Sequence, residues 1–389
     1  MRDCEEVSDV KSGRPTVACI DENALAHNFS EAKRLAGSRA LIAVVKADAY
    51  GHGAAPVARK LAASGCKHFA VATVEEAAQL RDAGIAHTIL VLGGAHDAGE
   101  ADEAVALGLT PVVQHAGHIA LLRKAAAERS RAIAVQVEVD TGMARMGISP
   151  EDAPSMIESI ARDPRFGLDG VYTHLACADE ADLAPTHRQL ALFREVLAAL
   201  RSRAIAPGQV HVANSAALVA TPALAEALPA EVSAVRPGLM LYGVAPAPHL
   251  ADAAQLKPVM SVRTRVANLR WVRRGDPVGY GATFRAKQRG RIATLPIGYA
   301  DGIPWSLGNR GAVLLRGKRV PIAGRVSMDL ITLDVGNSPV EIGDPVCVFG
   351  VPAGGGAPLR VEEVAEAAGT IPYELLVRVG ARVTRVLGS

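Results

Sequence analysis

The sequence predicts a (β/α)8 barrel followed by a mainly β C-terminal domain, an α/β class, and three observations carry that expectation. Short apolar runs recur between about residues 40 and 240 with helical patterns between them. After about residue 250 helical periodicity gives way to strands separated by Gly, Pro and Asp turns. At 389 residues the chain is also long for one ordinary core.

The apolar runs lie at 40–45, 69–73, 88–92, 109–113, 133–139, 168–173, 209–213 and 232–235. They are apolar nearly throughout, as parallel strands covered on both faces are. Thr73-Val-Glu-Glu76 has the spacing of a capping box and opens a helix over 75–83. Ile119, Leu122 and Ala126 recur at helical spacing, and so do Leu190, Phe193, Leu197 and Leu200. A doubly wound sheet is the competing topology for the same alternation. Beyond the barrel, 258–272, 291–296, 311–315, 319–323, 330–335 and 345–349 read as strands, and 361–368 as a short helix. The expected division is an extension at 1–13, a barrel at 14–248 and a β domain at 249–389. Segment 14–22 is open to assignment to either of the last two.

Composition excludes several classes. Lys and Arg total 42 against 40 Asp and Glu, with no basic block, so neither nucleic acid nor a membrane surface is an expected partner. The cysteines at 4, 19, 66, 177 and 347 never form a CxxC pair, which argues against a disulfide framework or zinc and for a reducing cytosol. No metal is expected. The charged N-terminus lacks the apolar run of a signal peptide. The uncharged stretch 204–225 carries Pro207, Gly208, Gln209, His211 and Asn214, which a spanning helix would not accept. A cytoplasmic location follows.

The unusual polar residues fall at strand ends. Lys46 follows the first run, Asp140 and Arg145 the fifth, and His174 the sixth. His211, Asn214 and Ser215 lie at the end of the seventh, and Arg236 follows the eighth. Singly, a lysine after a strand is usually solvated and a histidine on a β run usually fills a core. Jointly, they mark the carboxyl-terminal face where barrel active sites form. Ser215 and Gly238 stand in the loops that often bind phosphate in barrels, and a lysine opposite them suggests a Schiff-base cofactor.

Seven motifs, VVKADAYGHG, VDTGMARMG, THLACAD, HVANSAA, RPGLMLYG, LPIGYADG and GRVSMD, occur in this order between residues 44 and 329, within a resemblance that covers about residues 16–380. Together they resemble the alanine racemase family. The resemblance implies a barrel holding pyridoxal phosphate, a β domain, alanine as substrate and a homodimer with shared active sites. Lys46 would carry the cofactor. Tyr50, Ser215 and the backbone of Gly238 and Leu239 would bind its phosphate. His174 would lie against the pyridine ring, and Arg236 would face the pyridine nitrogen with His211 and Asn214 supporting it. Arg145 would contact the cofactor's phenolic oxygen and the substrate carboxylate. Tyr299, from a partner subunit, would be the second base. The Met328 backbone N–H would help hold the carboxylate, with Asp329 nearby.

Racemisation removes a proton from one face of a carbon and returns one to the other, so it requires two acid/base groups on opposite sides. Lysine amines and tyrosine hydroxyls are too basic in water, with pKa values of roughly 10, and must be tuned by burial or neighbouring charge. An arginine at the pyridine nitrogen donates a hydrogen bond but does not yield its proton, which weakens electron withdrawal and favours racemisation over transamination.

Two departures carry consequences. Many family members have a carbamylated lysine three residues before the Thr of DTGM, where this chain has Glu138, whose carboxylate is expected to supply the same charge. Some relatives have a tyrosine after IPYE at the position of Ala381, or of Val383 if the register slips, and its loss would widen the entrance. Three alternatives follow from the resemblance: a broad-spectrum amino-acid racemase, a non-catalytic pyridoxal-phosphate homeostasis protein, and a related decarboxylase. The homeostasis proteins resemble the barrel alone. The decarboxylase needs a late cysteine motif, whereas Cys347 lies in a plain β run.

Overall fold

The computed structural model describes residues 13–388, so all but the last residue of the expected extension lies outside the described residues. Strand β1 (Val17–Asp21) comes first, and Asp21 caps the helix Glu22–Ala36 by accepting from Asn23 N and Ala24 N at 2.9 and 2.8 Å. Then come β2 (Ala40–Val44), β3 (His68–Val71), β4 (Thr88–Val91), β5 (Thr110–Val113), β6 (Ile133–Glu138), β7 (Phe166–Tyr172), β8 (Gln209–His211) and β9 (Val232–Val235). All are parallel, and pairing of Ala40 with Ala234 and Leu41 with Val235 closes them into an eight-stranded barrel. Each apolar run of the sequence overlaps one of these strands, although β3 and β7 begin one and two residues before their runs. The doubly wound alternative is thereby excluded.

Phe69, Ile89 and Leu90 are fully buried, the consecutive Ile89 and Leu90 on opposite faces of β4. Buried alanines such as Ala32, Ala58, Ala77 and Ala101 let the surrounding helices approach closely. Thr73 caps the helix Val74–Asp82, its hydroxyl accepting from Glu76 N at 3.3 Å. The expected capping box is only half formed, because the Glu76 carboxylate accepts from Ala72 N and Ala47 N instead, both at 2.7 Å.

The second domain holds β10 (Met260–Arg265), β11 (Asn268–Val272), the short pair β12 (Pro277–Val278) and β13 (Phe284–Arg285), β14 (Gly290–Leu295), β15 (Ala312–Leu315), β16 (Lys318–Pro321), β17 (Ile331–Gly336), β18 (Pro345–Phe349) and β19 (Thr384–Gly388). A six-stranded sheet runs β16-β15-β18-β10-β1-β19 and a three-stranded sheet β11-β14-β17. The single run expected at 258–272 is thus two strands in different sheets. The helix Val361–Ala368 stands where the periodicity placed it. A second helix, Pro372–Arg378, and β19 were not foreseen. Strand β1 pairs antiparallel with β10 and parallel with β19, so residues 17–21 lie in the sheet of the second domain. Among the described residues no helix is long and apolar enough to cross a membrane.

Candidate active site

A cavity of about 440 Å³ opens at the carboxyl end of the barrel and brings together Lys46, Tyr50, Glu138, Arg145, His174, Asn214, Ser215, Arg236, Gly238 and Leu239. Lys46 enters it from the chain just after β2. Ala47, Asp48, Ala49 and Tyr50 all adopt left-handed helical backbone, with φ of 52° to 54°. That conformation costs about 1–2 kcal/mol per non-glycine residue and persists only where the surroundings impose it. Two carboxylates do so. Glu76 accepts from Ala47 N, and Asp48 accepts from Ala54 N at 2.6 Å. Burial lowers the pKa of Lys46, the positive charge of Arg145 lowers it further, and Glu76 opposes both.

Opposite the lysine, the Ser215 hydroxyl accepts from Gly238 N at 2.9 Å and Met240 N at 3.3 Å. The Tyr50 hydroxyl comes so close that a Cβ on Gly238 would stand 2.5 Å from it, so only glycine leaves this seat open. Tyr50 is stacked on Tyr242 with centroids 4.8 Å apart, and Tyr242 donates to Val44 O at 2.9 Å. Two hydroxyls and a glycine backbone therefore converge on one point, the donor set a phosphate requires. The residues fit the cofactor that the motifs imply.

Arg236 is buried at the floor, with no carboxylate among its hydrogen-bond partners in the described residues. Its guanidinium donates to His211 Nδ1, to Thr173 O at 2.9 Å and towards His174 Nδ1 at 3.3 Å. It also lies 4.5 Å above the Tyr172 ring, which stacks on His211 at 4.7 Å. Burial and then Arg236 push His174 down to about 3 and His211 well below the usual histidine range, so both rings are neutral. Tyr172 donates to Glu138 Oε2 at 3.1 Å, and Gln114 Nε2 donates to the same oxygen at 2.7 Å. Gln114 Oε1 is buried in the cavity wall with no hydrogen-bond partner among the described residues. Arg145 reaches the cavity from an exposed loop whose turn is fixed by Asp140 Oδ1, which accepts from Gly142 N and Met143 N at 2.9 and 2.8 Å.

Other expected residues lie elsewhere. Asn214 lines the cavity, but its side chain caps the helix Ser215–Val219, Oδ1 accepting from Ala217 N at 3.0 Å, and it is not bonded to Arg236. Tyr299, Met328 and Asp329 do not line the cavity of their own chain. Tyr299 is 46% and Met328 52% exposed, on two loops joined by Tyr299 N donating to Ser327 O and Ala300 N to Met328 O, both at 3.0 Å. Buried Asp301 pins that turn by accepting from Gly298 N at 2.9 Å and from Arg14. The Asp329 carboxylate accepts from Arg382 at 2.7 Å. Ala381 is exposed, and Val383 is buried in the core rather than at an entrance.

Four residues of this region escaped the sequence reading. Glu76 was read as half of a capping box. Gln114 and Tyr172 sit inside apolar runs. Tyr373, from the helix Pro372–Arg378, lines the cavity mouth with its ring 6.0 Å from that of Tyr50. The IPYE motif was the only signal for it.

The buried neutral histidines predict acid sensitivity. Burial holds His52 down to about 4, His174 to about 3 and His211 well below the usual histidine range. Folded values below the unfolded value of about 6.5 mean that only the unfolded chain takes up these protons. Their contribution is complete above about pH 6.5 and is lost as pH falls towards the folded values. Each histidine is worth about 1.4 kcal/mol per pH unit, so the three give a slope of about 4 kcal/mol. Calorimetry should show a thermal midpoint falling by roughly 5 °C per unit below about pH 6. A flat midpoint down to about pH 4.5 would contradict it.

Comparison with known proteins supplies the relatives. Residues 20–246 match the family model described as alanine racemase, N-terminal domain, and residues 259–387 match alanine racemase, C-terminal domain. A protein named alanine racemase from Sorangium cellulosum is 42% identical over 96% of this chain and 98% of its own. The crystal structure of the biosynthetic alanine racemase from Pseudomonas aeruginosa superposes with a TM-score of 0.86 at 39% identity, covering 97% of this chain and all of the other. The alanine racemase from Bacillus anthracis with bound L-Ala-P superposes with a TM-score of 0.87 at 34% identity, over 97% and 95% of the two chains.

Proposed function

The chain belongs to the alanine racemase family and is an enzyme of that class, and we propose that it interconverts L- and D-alanine with two bases. Lys46 works on one face of the reacting carbon and Tyr299 of the partner subunit on the other. The observation that carries this reading is the cavity itself, where a half-buried lysine of lowered pKa shares the space with Arg145, His174 and a buried Arg236 that has no carboxylate hydrogen-bond partner among the described residues.

Bound pyridoxal phosphate supplies the electron withdrawal that makes the α-hydrogen of an attached amino acid acidic. The chain supplies the rest. Tyr50, Ser215 and the N–H groups around Gly238 hold the phosphate, and Arg145 holds the substrate carboxylate. Lys46 Nζ, made less basic by burial and by Arg145, takes or returns a proton on its face. Arg236 donates to the ring nitrogen while keeping its proton, which limits electron withdrawal.

A homodimer is supported by what the β domain leaves uncovered. Tyr280, Trp305, Tyr299 and Met328 are all exposed, and Arg325 lies against Gly281, the residue after Tyr280, and over the Trp305 ring. Covering this patch with a barrel mouth related by two-fold symmetry would bring Tyr299 to the partner's Lys46.

Proton NMR of the cofactor-loaded enzyme in heavy water tests the function. L-alanine and D-alanine should each exchange the α-hydrogen and approach the same racemate. Bound cofactor without antipode formation would leave only a binding protein. L-serine in a third tube reads the width of the entrance, where Tyr373 supplies bulk that Ala381 does not.

Glu138 is proposed to orient Arg145 with its carboxylate. Replacing it by glutamine removes the charge while keeping the shape, and kcat/KM for alanine should fall about tenfold. Unchanged KM and kcat would dispose of that role.

A further inference from the structure

The Arg236–His211 contact continues through the barrel. His211 Nε2 meets Gln136 Oε1 at 2.7 Å, and Gln136 Nε2 donates to Asp169 Oδ2 at 2.9 Å. Gln136 lies on β6 and His211 on β8, with β7 between them. They meet because β7 carries Gly170 there. A Cβ at Gly170 would stand 2.9 Å from the Gln136 amide carbon and 3.0 Å from Nε2. Asp169 is exposed, just before the point where β7 starts to pair with β8. Its charge couples to His68, the first residue of β3, so it sits at the end of the barrel away from the cavity.

The direction of every bond in this chain is determined. Asp169 only accepts, so Gln136 turns its NH2 outward and its carbonyl towards His211. Arg236 only donates, so His211 Nδ1 accepts and its single proton sits on Nε2, aimed at that carbonyl. Both ends demand the same tautomer. An imidazolium would present an N–H to the guanidinium, and a flipped Gln136 amide would present an N–H to Nε2–H.

We infer that Gln136 and Asp169 are positioning residues for Arg236: through His211 they fix the guanidinium that faces the cofactor ring and hold the histidine neutral. The effect on catalysis rests on the proposed role of Arg236, but the tautomer does not.

Selective ¹⁵N labelling of histidine in the cofactor-loaded enzyme reads the first point, with His211 assigned by the signal missing from His211→Gln. The expected result is a neutral Nε2–H ring from about pH 6 to 9. A proton on Nδ1, or an imidazolium at neutral pH, overturns the inference.

Gln136→Glu reads the second. Protonated, the introduced carboxyl donates to Asp169 and accepts from His211 as the amide does. Ionised, it faces Asp169 with like charge, and burial and that charge raise its pKa. The other charged and titratable groups around the chain are Arg236, His211, Tyr172 and His174 on the cavity side, and His68 with His87 and Lys67 at the Asp169 end. Cofactor affinity should match wild type near pH 6 and fall about tenfold by about pH 8.5. Adding Asp169→Asn, which removes the like charge, should abolish that pH dependence. A Gln136→Glu enzyme with the wild-type profile overturns the inference. An enzyme that shows the tautomer and the pH effect yet racemises nothing would leave the inference standing and remove the proposed function instead.

Discussion

Mixing chains that carry Lys46→Ala with chains that carry Tyr299→Phe should restore alanine racemisation to about one quarter of wild-type specific activity, as expected for a two-fold dimer with shared sites. Either variant alone should retain less than about a thousandth, since each lacks one of two acid/base groups. The arithmetic follows from shared sites. Random exchange makes half of the dimers mixed, and each mixed dimer has one site with both a lysine and a tyrosine. The monomer geometry motivates the experiment, because Tyr299 and Met328 stand exposed outside the cavity of their own chain. No recovery on mixing, with mixed dimers verified by mass spectrometry, would place the second base within the same chain.

Arg236→Glu should lower kcat for racemisation by about 10² to 10³, the range seen when a preorganised electrostatic group is removed. The guanidinium is buried between His211, Thr173, His174 and the Tyr172 ring, and it carries a charge that no group there can discharge. A carboxylate in its place shares a proton with the ring nitrogen and strengthens electron withdrawal. Slow release of pyruvate from alanine, its amino group passing to the cofactor and the yield therefore limited to about one equivalent per site, should appear in the variant and be absent from wild type. A variant that loses rate without forming pyruvate would show that Arg236 acts by positioning alone.

The barrel was legible because strands buried on both faces must be apolar nearly throughout, and each of the eight apolar runs overlaps a barrel strand. The cavity was legible because several polar residues, each ordinary alone, fall together at the carboxyl ends of those runs, the face where barrel active sites form. What stayed hidden depended on distant partners. Strand β19 is a strand because β1, at the other end of the chain, offers it an edge. Gln136 reads as an irregularity in an apolar run until Gly170 and His211 appear beside it. The Glu76 carboxylate was assigned to its own helix, the local partner available to a reading of sequence spacing, although it serves the turn after Lys46.

The place of β1 sets a timetable for synthesis. It leaves the ribosome first, yet its neighbours β10 and β19 begin at residues 260 and 384. At about 5–20 residues per second, β10 follows by roughly 10 to 50 seconds, and the last strand later still. During that interval the barrel can close while Val17, Ala18, Cys19 and Ile20, all buried in the finished molecule, have no sheet to enter. An unpaired apolar edge is a template for association with other nascent chains. Chaperone demand should therefore concentrate on this short segment rather than on the barrel, and a C-terminal truncation that deletes β19 would make the exposure of one of its edges permanent.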